Sequence, residues 1–201
     1  MSTLKLNNIE AAVGTTINIA AGDKLSGAAG AFTTPGMIIQ VQAVTSHAIT
    51  TVSGVGFTDF MSVAITPKFS SSKIHISCSI NLTAQNTSVG WTGETVRYSG
   101  VKLFRDSTHI AVNSNNSGNR TAVWFSSNAV GDSGNDAYRM ANSSGQYIDS
   151  PSSTSAITYK VQIGQSNLAN SYVVTNNSPI DDNQTYTHQG VSQLTVMEIA
   201  Q

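Results

Sequence analysis

Charge is what this chain has least of. Lys, Arg, Asp and Glu make up 10% of its 201 residues, against roughly 25% in an average globular protein. Ten basic and eleven acidic side chains leave a net charge of −1. No positive excess is present to hold a phosphate backbone through counterion release, so nucleic acid is not an expected partner. A surface with so little charge gives little colloidal repulsion, which suits a protein whose normal state is an ordered assembly.

Cysteine is nearly absent as well. Cys78 stands alone, which excludes an intramolecular disulfide, and its place among alternating apolar residues reads as a small buried hydrophobe, not a reactive thiolate. Long apolar runs are missing: nothing approaches ~20 consecutive apolar residues, and the opening MSTLKLNNIE has no apolar core of signal-peptide length. The expectation is a chain made in a cytoplasm, with no secretory address and no membrane insertion. Helical periodicity is missing too, since no segment repeats apolar residues at i, i+3, i+4 and i+7 over three turns. The four histidines are widely separated, with no H-x-x-x-H spacing, and neither a transition-metal site nor a cofactor is expected.

What remains is strand. Residues 73–83, KIHISCSINLT, place Ile74, Ile76, Cys78, Ile80 and Leu82 on one face, with Lys73, His75, Ser77, Ser79, Asn81 and Thr83 on the other, the pattern of a half-buried β-strand. Further strands are expected at 37–44, around 49–52, at 60–65 closed by Pro67, at 96–105 with Gly100 as a bulge, at 109–112 after an Asp106-Ser107 turn, at 121–126, at 157–163 and at 192–200. Over 121–126, Val123 and Phe125 are read as facing one way and Trp124 the other. Residues 127–155 read as a long, partly stranded loop and 176–189 as a polar loop. The last strand has Leu194 and Val196 on one face and Met197 and Ile199 on the other, so it is either central in a sheet or held at a subunit interface. Many short alternating strands between turns predict an all-β sandwich or jelly roll with little or no helix. Residues 1–36 hold only scattered large side chains, with a linker-like end at Thr33-Thr34-Pro35-Gly36, and need something else to pack against. The expected division is an extended attachment or oligomerisation segment, 1–36, followed by a β domain, 37–201.

Three constellations were weighed for chemistry. Gly131-Asp132-Ser133-Gly134 resembles the nucleophile loop of chymotrypsin-like proteases over four residues only. It continues into Asn135-Asp136, and none of the upstream histidines, His47, His75 and His109, has that family's setting. Asp181-Asp182-Asn183 offers hard oxygen ligands but lacks the glycine and distal glutamate of an EF-hand, so a turn is expected. Nothing marks a carboxylate pair for glycoside hydrolysis. No catalytic and no metal-binding residue is assigned, and the expectation is a protein that is not an enzyme. Trp91, Trp124, Tyr138 and Tyr147 are candidates for receptor or interface contact, because exposed rings stack on sugar faces and anchor interfaces; each is equally a candidate for core or inter-subunit packing, and for Trp124 packing or interface is the preferred reading.

The opening MSTLKLNNIEAAVGTTINIAAGDKLSG, the junction Pro35-Gly36-Met37-Ile38-Ile39-Gln40-Val41 and the ending Ser192-Gln193-Leu194-Thr195-Val196-Met197-Glu198-Ile199 together resemble small virion structural proteins of marine tailed bacteriophages. The resemblance implies a homotrimer in the virion, assembled in the host bacterial cytoplasm as a tail fibre or as a head fibre or capsid decoration. Its N-terminal segment would dock on other virion proteins or intertwine, with Leu4, Leu6, Ile9, Ile17, Ile19 and Leu25 as the attachment or oligomerisation residues. Its C-terminal jelly roll, similar to tumour-necrosis-factor-like domains, would point outward. Host cell-surface glycan is the alternative partner, making the chain a receptor-recognition module.

Overall fold

A computed structural model describes residues 33–86, 99–126, 140–166, 171–178 and 183–201. The chain divides into two units, Met1–Phe32 and Thr33–Gln201, and everything described lies in the second. That unit is all-β. Its strands are β1 (Ile38–Ser46), β2 (Thr51–Ser53), β3 (Gly56–Ile65), β4 (Lys73–Asn86), β5 (Gly100–Arg105), β6 (Thr108–Ile110), β7 (Phe125–Ser126), β8 (Asn142–Asp149), β9 (Ile157–Gln165), β10 (Ser171–Thr175) and β11 (Ser192–Ile199). Among the described residues there is no helix.

The strands form two curled antiparallel sheets packed as a β-sandwich. One runs β1-β11-β4-β10-β2, with β8 also on β4; the other runs β3-β9-β5-β6, with β7 also on β5. β4 is the spine of the first. β11 and then β10 follow one another along one of its edges, and β8 takes the other. At the changeover, Asn81 turns both its backbone groups to the β11/β10 edge: its N–H meets the Ser192 hydroxyl and its carbonyl accepts from Asn176. The next N–H, that of Leu82, donates to Ala141 on the β8 side.

The alternation of KIHISCSINLT is realised as expected. Ile74, Ile76, Ile80 and Leu82 are fully buried, each worth roughly 1.5–3 kcal/mol, and they meet Tyr159, Val161 and Ile163 of β9 with Val101 and Leu103 of β5 in one core. Cys78 is buried among them, and burial pushes its thiol up to about 12, so it has no thiolate character near neutral pH. β11 is central, held between β1 and β4.

Several expectations are corrected. Gly100 is not a bulge: its pairing with Gly164 is in regular register, and the register shifts fall between Ile38 and Gln40 and between Asp59 and Met61. Glycine is needed at 100 because a Cβ there would lie 2.6 Å from Val123 Cγ1. Only Phe125 and Ser126 of the 121–126 segment form strand, and Trp124 and Phe125 do not face opposite ways but both pack on Gly145 of β8. The region read as a long, partly stranded loop does hold a strand, the eight-residue β8. Its inward positions are Ser143, Gly145, Tyr147 and Asp149, opposite Ile80, Cys78, Ile76 and Ile74, so Tyr147 is the one large side chain on its inward face and the usual apolar alternation is missing. Pro35-Gly36 is a pinned turn: Met37 N–H donates to Thr34, Gly36 N–H to Ala200, and Ala200 N–H back to Met37.

Candidate functional site

Two surfaces of the sandwich are open to partners, and each is built by the register of the strands beneath it.

The first is a groove where β2 and β10 extend the β4 sheet. Val52 and Val173 pair and point into the core, which turns Thr51, Ser53, Tyr172 and Val174 outward on one face. With Ile49, Asn177 and Ser178 they line a solvent-open depression of about 300 Å³. None of the seven carries a charge. Tyr172 is half-buried, and burial raises its phenol above the ordinary value. Ile49 remains 45% exposed and Asn177 only 3%.

The floor of this groove is held by Asn176. Its φ of 57° lies in the left-handed region that Asn tolerates better than most residues. The residue is buried and all its polar groups are used. Its Nδ2 donates to the carbonyls of Ser46 and Ala48 at 3.0 Å each, and its Oδ1 accepts from the Ser192 hydroxyl at 2.6 Å. Its N–H donates to Asn81 and its carbonyl accepts from Gly190. The Asn176 side chain thus ties the end of β10 to the exit of β1 and the start of β11, and its backbone N–H ties it to the middle of β4. Asn177 and Ser178 follow directly, fixed by backbone contacts of Asn177 with Gln189 and of Ser178 N–H with His188.

The second surface is the outer face of β1, β11, β4 and β8. Val41 lies opposite Met197, Met197 opposite His75 and His75 opposite Ile148, so these four side chains form a row across four strands. Ile38 pairs with Ile199 in the neighbouring row. Val41, Ile38 and Ile148 are 51%, 51% and 57% exposed. The remaining outward residues here are Ala, Ser, Thr, Asn and Gln, and Lys73, bonded to Ser150, is the one Lys, Arg, Asp or Glu among them.

The opposite outer face, on β3, β9 and β5, is polar and internally satisfied. Lys160 pairs with Asp59 at 3.0 Å, Gln162 donates to the same carboxylate, and Lys102 sits 3.9 Å over the Phe57 ring. The Gln162 and Lys160 hydrogen bonds hold the Asp59 carboxyl below its ordinary value.

Two further polar clusters are internal. Asp149 on β8 accepts both contacts of Arg105 on β5 at 2.9 Å and the hydroxyl of buried Tyr159 at 2.7 Å, linking the two sheets. Glu198, fully buried on β11, accepts from the N–H groups of Lys68 and Phe69 and from Gln40 Nε2. The Ser72 hydroxyl is close to it but outside strict hydrogen-bond geometry. Burial alone would raise the Glu198 pKa, yet these polar neighbours outweigh it and hold the carboxyl below its ordinary value.

Of the residues singled out from sequence, Trp124 is half-buried, edge-on to Phe125, with its indole N–H 3.4 Å from the Gln146 carbonyl. Tyr147 is half-buried and packs on the core. The structure does not bring either to the groove. Trp91 and Tyr138 lie outside the described residues, as do Leu4, Leu6, Ile9, Ile17, Ile19, Leu25, the Gly131–Gly134 tetrapeptide, and Asp181 with Asp182. His47, His75 and His109 sit in a loop after β1, on the outer face of β4 and on β6. Among the described residues no group of three or more His, Cys, Asp or Glu gathers, and no helix is long and apolar enough to cross a membrane.

The groove residues Ile49, Tyr172 and Asn177 were not anticipated. SYVVT is a short run before a polar stretch, and only its pairing with β2 and β4 reveals which of its side chains face out. Compared with models of known protein families the sequence matches none, and no curated protein is significantly similar to it.

Proposed function

We propose that this protein is a non-enzymatic structural component of a phage virion. It is a trimeric appendage, a tail fibre or a head fibre or capsid decoration, attached through residues 1–36 with the β domain exposed. The observation that carries the assembly part is the outer face of β1, β11, β4 and β8. Exposed Val41, Ile38 and Ile148, with half-buried Met197 and His75 between them, on a face with one charged residue meet a copy of themselves without like-charge repulsion, and exposed apolar side chains grouped in this way mark interfaces. The opposite face is more polar, with Lys160 paired to Asp59 and Lys102 over the Phe57 ring. The virion part rests on the resemblance of the two chain ends. The strand order β1-β11-β4-β8 against β3-β9-β5-β6 supports reading the domain as a jelly roll, of the kind tumour-necrosis-factor-like trimers use.

The test is the mass of the full-length protein in solution at micromolar concentration, with three times 21.1 kDa expected. Replacing Val41 and Ile148 together by Lys places two charges in the contact, and the expected outcome is dissociation at that concentration with the thermal midpoint of the monomer unit little changed, because both positions are more than half exposed. A wild-type monomer at micromolar concentration, together with normal particle incorporation after deletion of residues 1–36, would sink the reading.

A further inference from the structure

The groove beside β2 and β10 continues the outer face of the same sheet beyond the Val41–Ile148 row, and we infer that it takes one neutral pyranose ring of a saccharide. Its lining selects by chemistry. Among the described residues its lining is uncharged, which gives an ionic ligand no counter-charge. Val174 and the Tyr172 ring on β10, with Ile49 across from them ahead of β2, offer apolar surface suited to the C–H face of a sugar. Thr51 and Ser53, two positions apart and therefore on the same face of β2, set hydroxyls along the other side. A cleft of about 300 Å³ is at the lower end for small-molecule sites, enough for one ring and too small to enclose a longer segment.

Asn177 adds an observation of a different kind. It is 3% exposed, it lines the groove, and its side-chain amide makes no hydrogen bond among the described residues. Its amide meets the open side of the groove, and a ring hydroxyl supplies both a donor and an acceptor in place of water there. The backbone that carries it is fixed by the five hydrogen bonds of Asn176, so the amide is placed before the ligand arrives, which lowers the ordering cost of binding. A competing occupant is a peptide adding to the free edge of β2. That would engage the β2 backbone and leave the Asn177 amide unused.

The full-length protein, isotope-labelled for amide NMR, is titrated separately with the methyl glycosides of glucose, galactose, mannose and N-acetylglucosamine to about 100 mM, a range that captures a Kd on the order of 1 mM. The expected result is saturable movement of the Thr51, Ser53 and Asn177 signals with at least one of them. Binding should weaken by at least about tenfold in Asn177→Ala and in the double variant Thr51→Ala, Ser53→Ala, whose two sites are exposed. No saturable shift with any of the four sugars overturns the inference, and so does binding that survives unchanged in both variants. Failure here leaves the mass of the assembly untouched, while a monomer that still binds sugar would count against the trimer alone.

Discussion

The two ends of β11 are closed by buried polar side chains of opposite character. On its inward face Ser192, Leu194, Val196 and Glu198 alternate, so the apolar middle belongs to the core and each end needs polar partners. At the start, Ser192 joins the neutral network of Asn176. At the finish, Glu198 is a carboxylate surrounded by donors with no Lys or Arg side chain among its hydrogen-bond partners. The same register problem is solved once by an amide that both donates and accepts, and once by an anion that only accepts. The neutral end is insensitive to pH and satisfied on every side, and the charged end stores its contribution in an ionisation state. The neutral end also underlies the groove, while the charged end holds the 66–72 loop against β1 and β11, close to the turn where the chain enters β1.

The largest expected effect comes from breaking the neutral end. Asn176→Ala removes three side-chain hydrogen bonds, leaves the Ser192 hydroxyl without its acceptor and the Ala48 carbonyl with only the Thr175 hydroxyl, and puts Ala at a left-handed φ. A loss of about 3–5 kcal/mol is expected by chemical denaturation, with sugar binding weakened as Asn177 loses its support. A loss below about 1 kcal/mol would show that the network does not carry the junction.

Breaking the charged end ranks next. Glu198→Ala leaves the Lys68 and Phe69 N–H groups without their acceptor, and about 2–4 kcal/mol is expected. The groove is at the far end of β11 and should keep its affinity, which sharpens the division between the two ends. Ser192→Ala is smaller, about 1–2 kcal/mol, because the hydroxyl is one of five partners of Asn176 and Asn81 N–H is its own only other contact.

Acid distinguishes the ends without any large loss at neutral pH. The folded-state pKa of Glu198 lies below its unfolded value, so its contribution is fully present above the unfolded pKa of about 4.3 and is lost as pH falls through the folded value. In Glu198→Gln this part of the acid loss should vanish, giving a flatter stability curve below about pH 4.3. Asn176 variants should fall with acid in parallel with the wild type. An unchanged acid slope in Glu198→Gln would refute the assignment.

The physical route from sequence to fold was short wherever large apolar residues alternated. β4, β9 and β11 were legible because Ile, Val, Leu and Tyr recur at a period of two, and a slip by one residue would expose all of them. β8 was not legible, since its inward side is Ser, Gly, Tyr and Asp and owes its burial to Trp124 and Phe125 filling the space above Gly145. The Asn176 network was equally silent. Its partners come from Ser46, Ala48, Asn81, Gly190 and Ser192, which no local pattern connects, and an asparagine before a polar run reads as a turn. The aromatic residues that drew attention as candidate contacts gave a partial guide: Trp124 and Tyr147 are packing elements, and the ring that lines the groove is Tyr172.

The sequence by itself determined the all-β class, the inward set of the central strands, the inert buried thiol and the low charge of the surface, because each follows from residue type and a period of two. Only the tertiary structure decided which strands are neighbours. From that came the apolar row on one outer face, the paired charges on the other and the neutral groove beside Asn177. Such sites are made by residues far apart in the chain, and strand register, which is set by the whole core at once, is what brings them together.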